Sequence, residues 1–188
     1  MFLYPAFLYF LEREYFRSYR AGSQFSVIVF EMRCLVAKNG ELTRQVLPGP
    51  ALADAASRME RLKRRQDLVA HYDVFDYAFL LPCGGAKTFA DRLVKCLTGS
   101  PLAGIESKQL ALAAGCASIP GDFTDLASLL GAADACKKRA RETSRWSLAT
   151  RICSGWWFGQ VFIEFVRIEV SICCTGSNGA CPKEGDLR

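Results

Sequence analysis

Apolar and polar positions divide the first 143 residues into alternating helical and extended segments. After Pro5 the chain puts aromatic side chains on one side and arginines on the other up to about residue 20, which predicts an amphipathic helix. "QFSVIVFEMRCLV" follows, a β-branched run suited to a central strand. "AKNGELTRQVLPGPAL" carries Asn39-Gly40 and Pro48-Gly49-Pro50 and reads as loop. Helical spacing returns over 51–65, with Leu52, Ala55, Met59 and Leu62 on one face and Asp54, Arg58, Arg61 and Arg65 on the other. "DLVAHY" and "YAFLLP" flank "DVFD" in a hairpin pattern. "AKTFADRLVKCLTG" predicts a helix closed by Gly99, and "KQLALAAGCASIP" a strand stopped by Pro120. "DFTDLASLLGAADACKKRARE" predicts a helix with Asp122 or Thr124 as N-cap and a basic end that complements its dipole.

The order is helix, strand, helix, hairpin, helix, strand, helix. A hairpin in the middle excludes a purely parallel doubly wound sheet. The expected class is α/β in the α+β sense: a mostly antiparallel central sheet flanked by helices, of the split βαβ type. That domain occupies residues 1–143. Residues 144–188 form a C-terminal extension of different character. It holds a β-rich run from Gln160 to Ile172 with mixed alternation, suited to a sheet edge and anchored by Trp156-Trp157. "CTGSNGACPKEGDLR" has turn composition and predicts a disordered tail.

Composition narrows the class. A chain of 188 residues with 51% hydrophobic and 23% charged positions is globular rather than disordered. The formal charge of +5 is mild, and no basic run argues for nucleic-acid binding. No stretch approaches the roughly 20 apolar residues of a membrane span. The N-terminal segment lacks the early positive charge and small-residue cleavage site of a signal peptide. Of nine cysteines, Cys34, Cys83, Cys96, Cys116 and Cys136 stand singly in predicted elements, as small buried hydrophobes do. Cys173, Cys174 and Cys181 crowd near the end without a second C-x-x-C, and His71 is the only histidine, which argues against zinc. The odd cysteine count and absent leader predict a reducing cytoplasm.

The hairpin and its surroundings resemble the GGDEF domains of diguanylate cyclases, in which a Gly-Gly-Asp/Glu-Glu-Phe turn precedes a hydrophobic strand ending in "LLP". Here Asp73-Val74-Phe75-Asp76-Tyr77 stands at the turn, after His71-Tyr72 and before "AFLLP". "FSVIVFEMR" is similar to the family's first core strand. "AKTFADRLVKCL" and the strand and helix of residues 110–143 are similar to its later elements. The resemblance covers about residues 7–143, lacks the family's Asp-x-Leu-Thr-Gly lead-in, and leaves open whether the chain is a fragment of a longer regulator.

The resemblance implies a bacterial cyclic di-GMP signalling setting, and the residues imply a domain that no longer catalyses. Joining two GTP molecules needs metal ions held by carboxylates beside the phosphates. The third turn position is Phe75, which binds no metal, and valine at 74 resists the positive φ that glycine allows. Glu31 stands where the family has a metal-binding aspartate, but it is followed by Arg33; pairing with Arg33 or Lys38 is its expected role. Asp76 keeps a carboxylate without neighbours to use it, and His71 reads as structural. No magnesium or other cofactor is expected.

What the resemblance retains is an inhibitory-type Arg-x-x-Asp site six residues before the turn. Arg64 and Asp67 have that form, and Arg92, in "Ala90-Asp91-Arg92", matches a further arginine of the family. An arginine fork can grip phosphate or a guanine edge, and a carboxylate can accept from guanine N–H groups. The leading expectation is therefore an inactive GGDEF-like domain that binds cyclic di-GMP at Arg64, Asp67 and Arg92 and signals to a protein partner, an attached regulatory domain or a second copy in a homodimer. The alternatives are an interaction module that binds no nucleotide, and a weak diguanylate cyclase.

Overall fold

The computed structural model describes residues 1–38, 41–73, 76–106, 109–119, 125–153 and 169–175, with side chains described up to residue 142. Its organising element is β1 (Phe25–Lys38), whose alternation decides both layers of the fold. Ile28, Phe30, Met32 and Cys34 point into one hydrophobic cluster, and Phe25, Val27 and Val29 into the other. Four further strands join it: β2 (Glu41–Gln45), β3 (Leu68–Asp73), β4 (Asp76–Leu81) and β5 (Leu110–Ile119). With β6 (Glu169–Thr175) the sheet order is β3-β4-β1-β5-β6, and β2 pairs with the far half of β1. Every pairing is antiparallel except β5–β6, which is parallel. The expected antiparallel sheet flanked by helices is present.

Four helices cover the sheet: α1 (Tyr4–Ala21), α2 (Gly49–Leu62), α3 (Ala86–Thr98) and α4 (Leu126–Cys153). α2 and α3 pack on the first cluster through Ala51, Ala55, Met59, Phe89, Leu93 and Leu97. There Phe30 stacks on Tyr77 and Phe79, and Phe79 meets Phe89 with ring centres 4.8 Å apart. α1 and α4 pack on the second cluster through Phe7, Leu11, Leu129 and Ala133. On that face β5 offers Ala111, Ala113, Gly115 and Ala117, small residues that let α4 lie close. A Cβ on Gly115 would stand 2.0 Å from the Ala133 carbonyl oxygen and 2.3 Å from the Lys137 backbone nitrogen.

Four expectations change. The stretch 37–50 is not all loop, because Glu41–Gln45 pairs with Cys34–Lys38 in a hairpin whose register leaves two residues between the strands. α2 ends at Leu62 rather than at 65; Lys63 is extended because the next residues form a tight turn. α4 does not end in its basic run but continues to Cys153, so the boundary drawn at residue 143 lies within it. Cys83, unlike the buried Cys34, Cys116 and Cys136, is exposed, since it sits where the chain leaves β4. The caps expected at Asp122 or Thr124 lie outside the described residues. Asp125 caps α4 by accepting from the Ser128 N–H at 2.7 Å. Residues 154–168, with Trp156-Trp157, and the tail 176–188 also lie outside the described residues.

Candidate functional site

The face of β1 that carries Val27 and Val29 continues to Glu31 and Arg33, where apolar contact with α4 gives way to charge. Glu31 is opposite Asp76 in the β1–β4 register, so both carboxylates emerge on the α4 side of the sheet. Glu31 is 5% exposed and is gripped by Arg33 Nε at 2.8 Å and Arg141 Nη1 at 3.5 Å. Asp76 is buried and accepts from Lys137, which is itself only 4% exposed and also reaches Asp134 at 2.8 Å. Lys138 closes the cluster on Asp134 at 2.8 Å. Four cations thus meet three carboxylates.

The protonation states follow from these contacts. Burial alone would lower Lys137, but its hydrogen bonds to Asp134 and Asp76 outweigh that and raise it above its ordinary value, so it stays an ammonium. Burial would raise Asp134, but Lys137 and Lys138 hold it below the usual carboxylate range. A divalent cation needs carboxylate oxygens with open lone pairs. Here those of Glu31 and Asp76 are turned to guanidinium and ammonium groups. Among the described residues, no group of three or more His, Cys, Asp or Glu side chains is placed to hold a metal ion. Val74 and Phe75 of the hairpin lie outside the described residues, between Asp73 and Asp76, which pair across it. Glu31 takes Arg33 rather than Lys38. His71 packs edge-on against Tyr77, and its backbone N–H donates to the Phe2 carbonyl.

Arg64, Asp67 and Arg92 meet at the corner where α2 passes into β3, but not as three converging side chains. Asp67 is 3% exposed, and its Oδ2 accepts from the Arg64 backbone N–H at 2.9 Å. Its own N–H donates to the Arg64 carbonyl at 3.1 Å. The carboxylate therefore fixes the turn from which the exposed Arg64 side chain leaves. Arg92, exposed on α3, donates to the Leu62 carbonyl at 3.5 Å and so lies over the C-terminus of α2.

Sequence reasoning missed the reciprocal contact. Arg58 of α2 donates to the carbonyls of Ser100 and Pro101, at 2.9 and 2.7 Å, beyond the C-terminus of α3, while both Asp54 oxygens hold its guanidinium. Hydrogen bonding to Arg58 keeps the Asp54 carboxyl below its ordinary range. Each helix thus caps the other with an arginine. It also missed Lys137 and Arg141 as partners of the sheet acids. Their spacing from Asp134, at i+3 and i+7, put all three on one helical face and was the available signal.

No family model matches the chain, and no curated protein matches it in sequence. Solved structures do. The chain is similar to the GGDEF domain of TpbB (YfiN) from Pseudomonas aeruginosa, at TM-score 0.62 and 21% identity, covering 76% of this chain and 86% of that one. It is similar to the diguanylate cyclase SiaD of the same organism, solved with its activator SiaC, at TM-score 0.59 and 18% identity, covering 75% of this chain and 55% of that one. The GGDEF domain of DgcB from Caulobacter crescentus, solved with c-di-GMP, matches at TM-score 0.57 and 15% identity, covering 75% of this chain and 83% of that one. The chain has the fold of a GGDEF domain. No helix among the described residues is long and apolar enough to cross a membrane.

Proposed function

We propose that this is a GGDEF-fold signalling domain that does not join nucleotides and instead binds cyclic di-GMP at the α2–β3 corner. One observation carries the loss of catalysis: the acids at the hairpin base, Glu31 and Asp76, already hold Arg33, Arg141 and Lys137. A magnesium ion would have to displace three cations that belong to the chain itself, one of them buried. Arg64 and Arg92 support the binding half of the reading. Both are exposed near the end of α2, and guanidinium forks suit a phosphodiester or a guanine edge. In this reading Asp67 acts as a positioning residue, since burial keeps its carboxylate on the turn.

Calorimetric titration of the full chain with cyclic di-GMP tests it. Saturable binding is expected, weakened about tenfold or more in Arg64→Ala, because a charge-assisted bidentate contact is worth roughly 1.5–3 kcal/mol. No heat at tens of micromolar ligand would favour an interaction module that binds no nucleotide. Steady turnover of GTP with magnesium, abolished in Glu31→Ala, would overturn the inactive reading.

A further inference from the structure

Seven of the nine large hydrophobic side chains exposed among the described residues lie in the first 19 residues. Two of them, Tyr9 and Phe16, are 60% and 53% exposed and stand on the side of α1 opposite its buried Phe7, Leu11, Glu14 and Ser18. Seven residues apart, they recur after two turns at nearly the same angle and form one row along the outermost line of the helix. Tyr9 meets Phe10 and Phe10 meets Phe2, with ring centres 5.5 and 5.3 Å apart. The row thereby runs on into the N-terminal residues, where Leu3 is 75% exposed. Arg13 and Arg20, again seven apart, follow one edge of the row, and Glu12 and Tyr19 follow the other. A continuous apolar row of this kind left in water marks a contact surface.

The charges beside the row select its occupant. Arg13 and Arg20 are exposed and make no ion pair or side-chain hydrogen bond among the described residues. Arg17 is held by Glu14, and Glu12 is the one exposed acid of α1. A second copy packed antiparallel about Phe16 would set Arg13 against Arg20 of its mate, like against like. A single-stranded nucleic acid would stack on the rings and leave the aliphatic Leu3 in water. A lipid surface with anionic headgroups takes all three kinds of group. Aromatic rings settle at the boundary between headgroups and acyl chains, an aliphatic tip enters it, and arginine stems rise beside it toward phosphate. We propose that α1 lies flat on an anionic membrane surface, with Tyr9 and Phe16 at the headgroup boundary and Arg13 and Arg20 on lipid phosphates. The helix lies on the bilayer and does not cross it, since its other side holds Phe7 and Leu11 in the core. One row of rings and two unpaired cations make a reversible contact.

Co-sedimentation of the full chain with phosphatidylcholine vesicles, with and without about one quarter phosphatidylglycerol, tests this at about 0.1 M salt, where the Debye length is about 10 Å. Saturable binding to the anionic vesicles is expected, at least about fivefold tighter than to phosphatidylcholine alone. Phe16→Ser lowers the affinity by about tenfold, and Arg13→Gln and Arg20→Gln each lower it by about fivefold. Glu12→Gln raises it by about fivefold, a response that a merely structural role would not give. Leu42→Ser, at an exposed apolar position on β2, leaves it unchanged. All substituted positions are exposed, and circular dichroism confirms that each variant is folded. Absence of binding at about 1 mM lipid, roughly ten times the lipid at which a single acyl chain half-binds, would overturn the proposal. So would binding indifferent to Phe16→Ser or to both arginine substitutions, or binding weakened by Glu12→Gln. A monomer–dimer equilibrium in sedimentation velocity, dispersed by Phe16→Ser in protein that ignores vesicles, would give the row to a second copy instead. Binding of a single-stranded oligonucleotide in place of vesicles would give it to nucleic acid.

Discussion

Lys137→Met removes the ammonium that lies between Asp76 and Asp134 while keeping an unbranched apolar stem. Lys137 is 4% exposed and Asp76 is buried, so the variant leaves a carboxylate in the sheet–α4 interface without its partner. Breaking a buried ion pair from one side costs about 3–5 kcal/mol. The lower end applies here, because Asp134 retains Lys138 at 2.8 Å and remains partly hydrated. For a chain of this length each kcal/mol lowers Tm by roughly 2–4 °C, so a fall of roughly 6–12 °C is expected at neutral pH. The pH dependence has a definite sign. The Asp134 carboxyl is depressed on folding, so its contribution is present above its unfolded pKa near 3.8 and is lost as pH falls through the folded value. The Lys137 ammonium is raised on folding, so its contribution is complete below 10.5 and is lost only as pH rises beyond the folded value. The contribution of these two groups to wild-type stability is therefore level between those limits. Thermal melts across that range, with Asp76→Asn and the double variant, provide the assay. The two substitutions should be non-additive by about 1–3 kcal/mol. A Tm within about 1 °C of wild type for Lys137→Met, or strict additivity, would refute the reading of the cluster.

Two further perturbations test the packing and the helix capping. Gly115→Ala forces a methyl group against the α4 backbone, at 2.0 Å from the Ala133 carbonyl oxygen, and should cost at least the roughly 3 kcal/mol at the top of the usual overpacking range in denaturant titrations. Gly131→Ala, on the same helix with nothing within 4 Å of the new Cβ, should instead stabilise by about 0.5–1 kcal/mol in the same titrations. Arg58→Ala should cost about 2 kcal/mol by leaving the carbonyls beyond α3 and the Asp54 carboxylate without their donor, and Arg58→Lys should recover little, because one ammonium cannot span the fork.

The strands were legible because their patterns are strong. β1 is a long β-branched run, and the β3–β4 hairpin announces itself by two apolar segments around a polar break. β2 was not, because "ELTRQ" is short, polar and largely exposed, and its pairing comes from the register of β1 rather than from its own composition. The end of α2 was misjudged because Lys63-Arg64-Arg65 looks like a basic helix terminus, while the buried Asp67 pulls those residues into a turn. The acid Glu31 and its Arg33 partner could be read from adjacency along one strand. Lys137 and Arg141 could not be linked to the acids in that way, because their partners lie 61 and 110 residues away and meet them only through the close approach of α4 at Gly115.

The alternation of β1 also separates the two parts of the proposed function. Even-numbered residues of β1 face α2 and α3, where Arg64 and Arg92 lie at the helix corner; Glu31 faces α4 on the other side of the sheet. The charge cluster therefore fastens α4 to the sheet, its acids holding cations of the same chain. Since the sheet stands between the two regions, Lys137→Met should lower Tm without changing nucleotide affinity. Arg64→Ala, exposed and outside the core, should do the reverse. A ligand affinity that followed the Lys137 substitution in folded protein would mean that the layers communicate through β1, and the domain would then have to be read as a switch whose helix–sheet fastening is part of the signal.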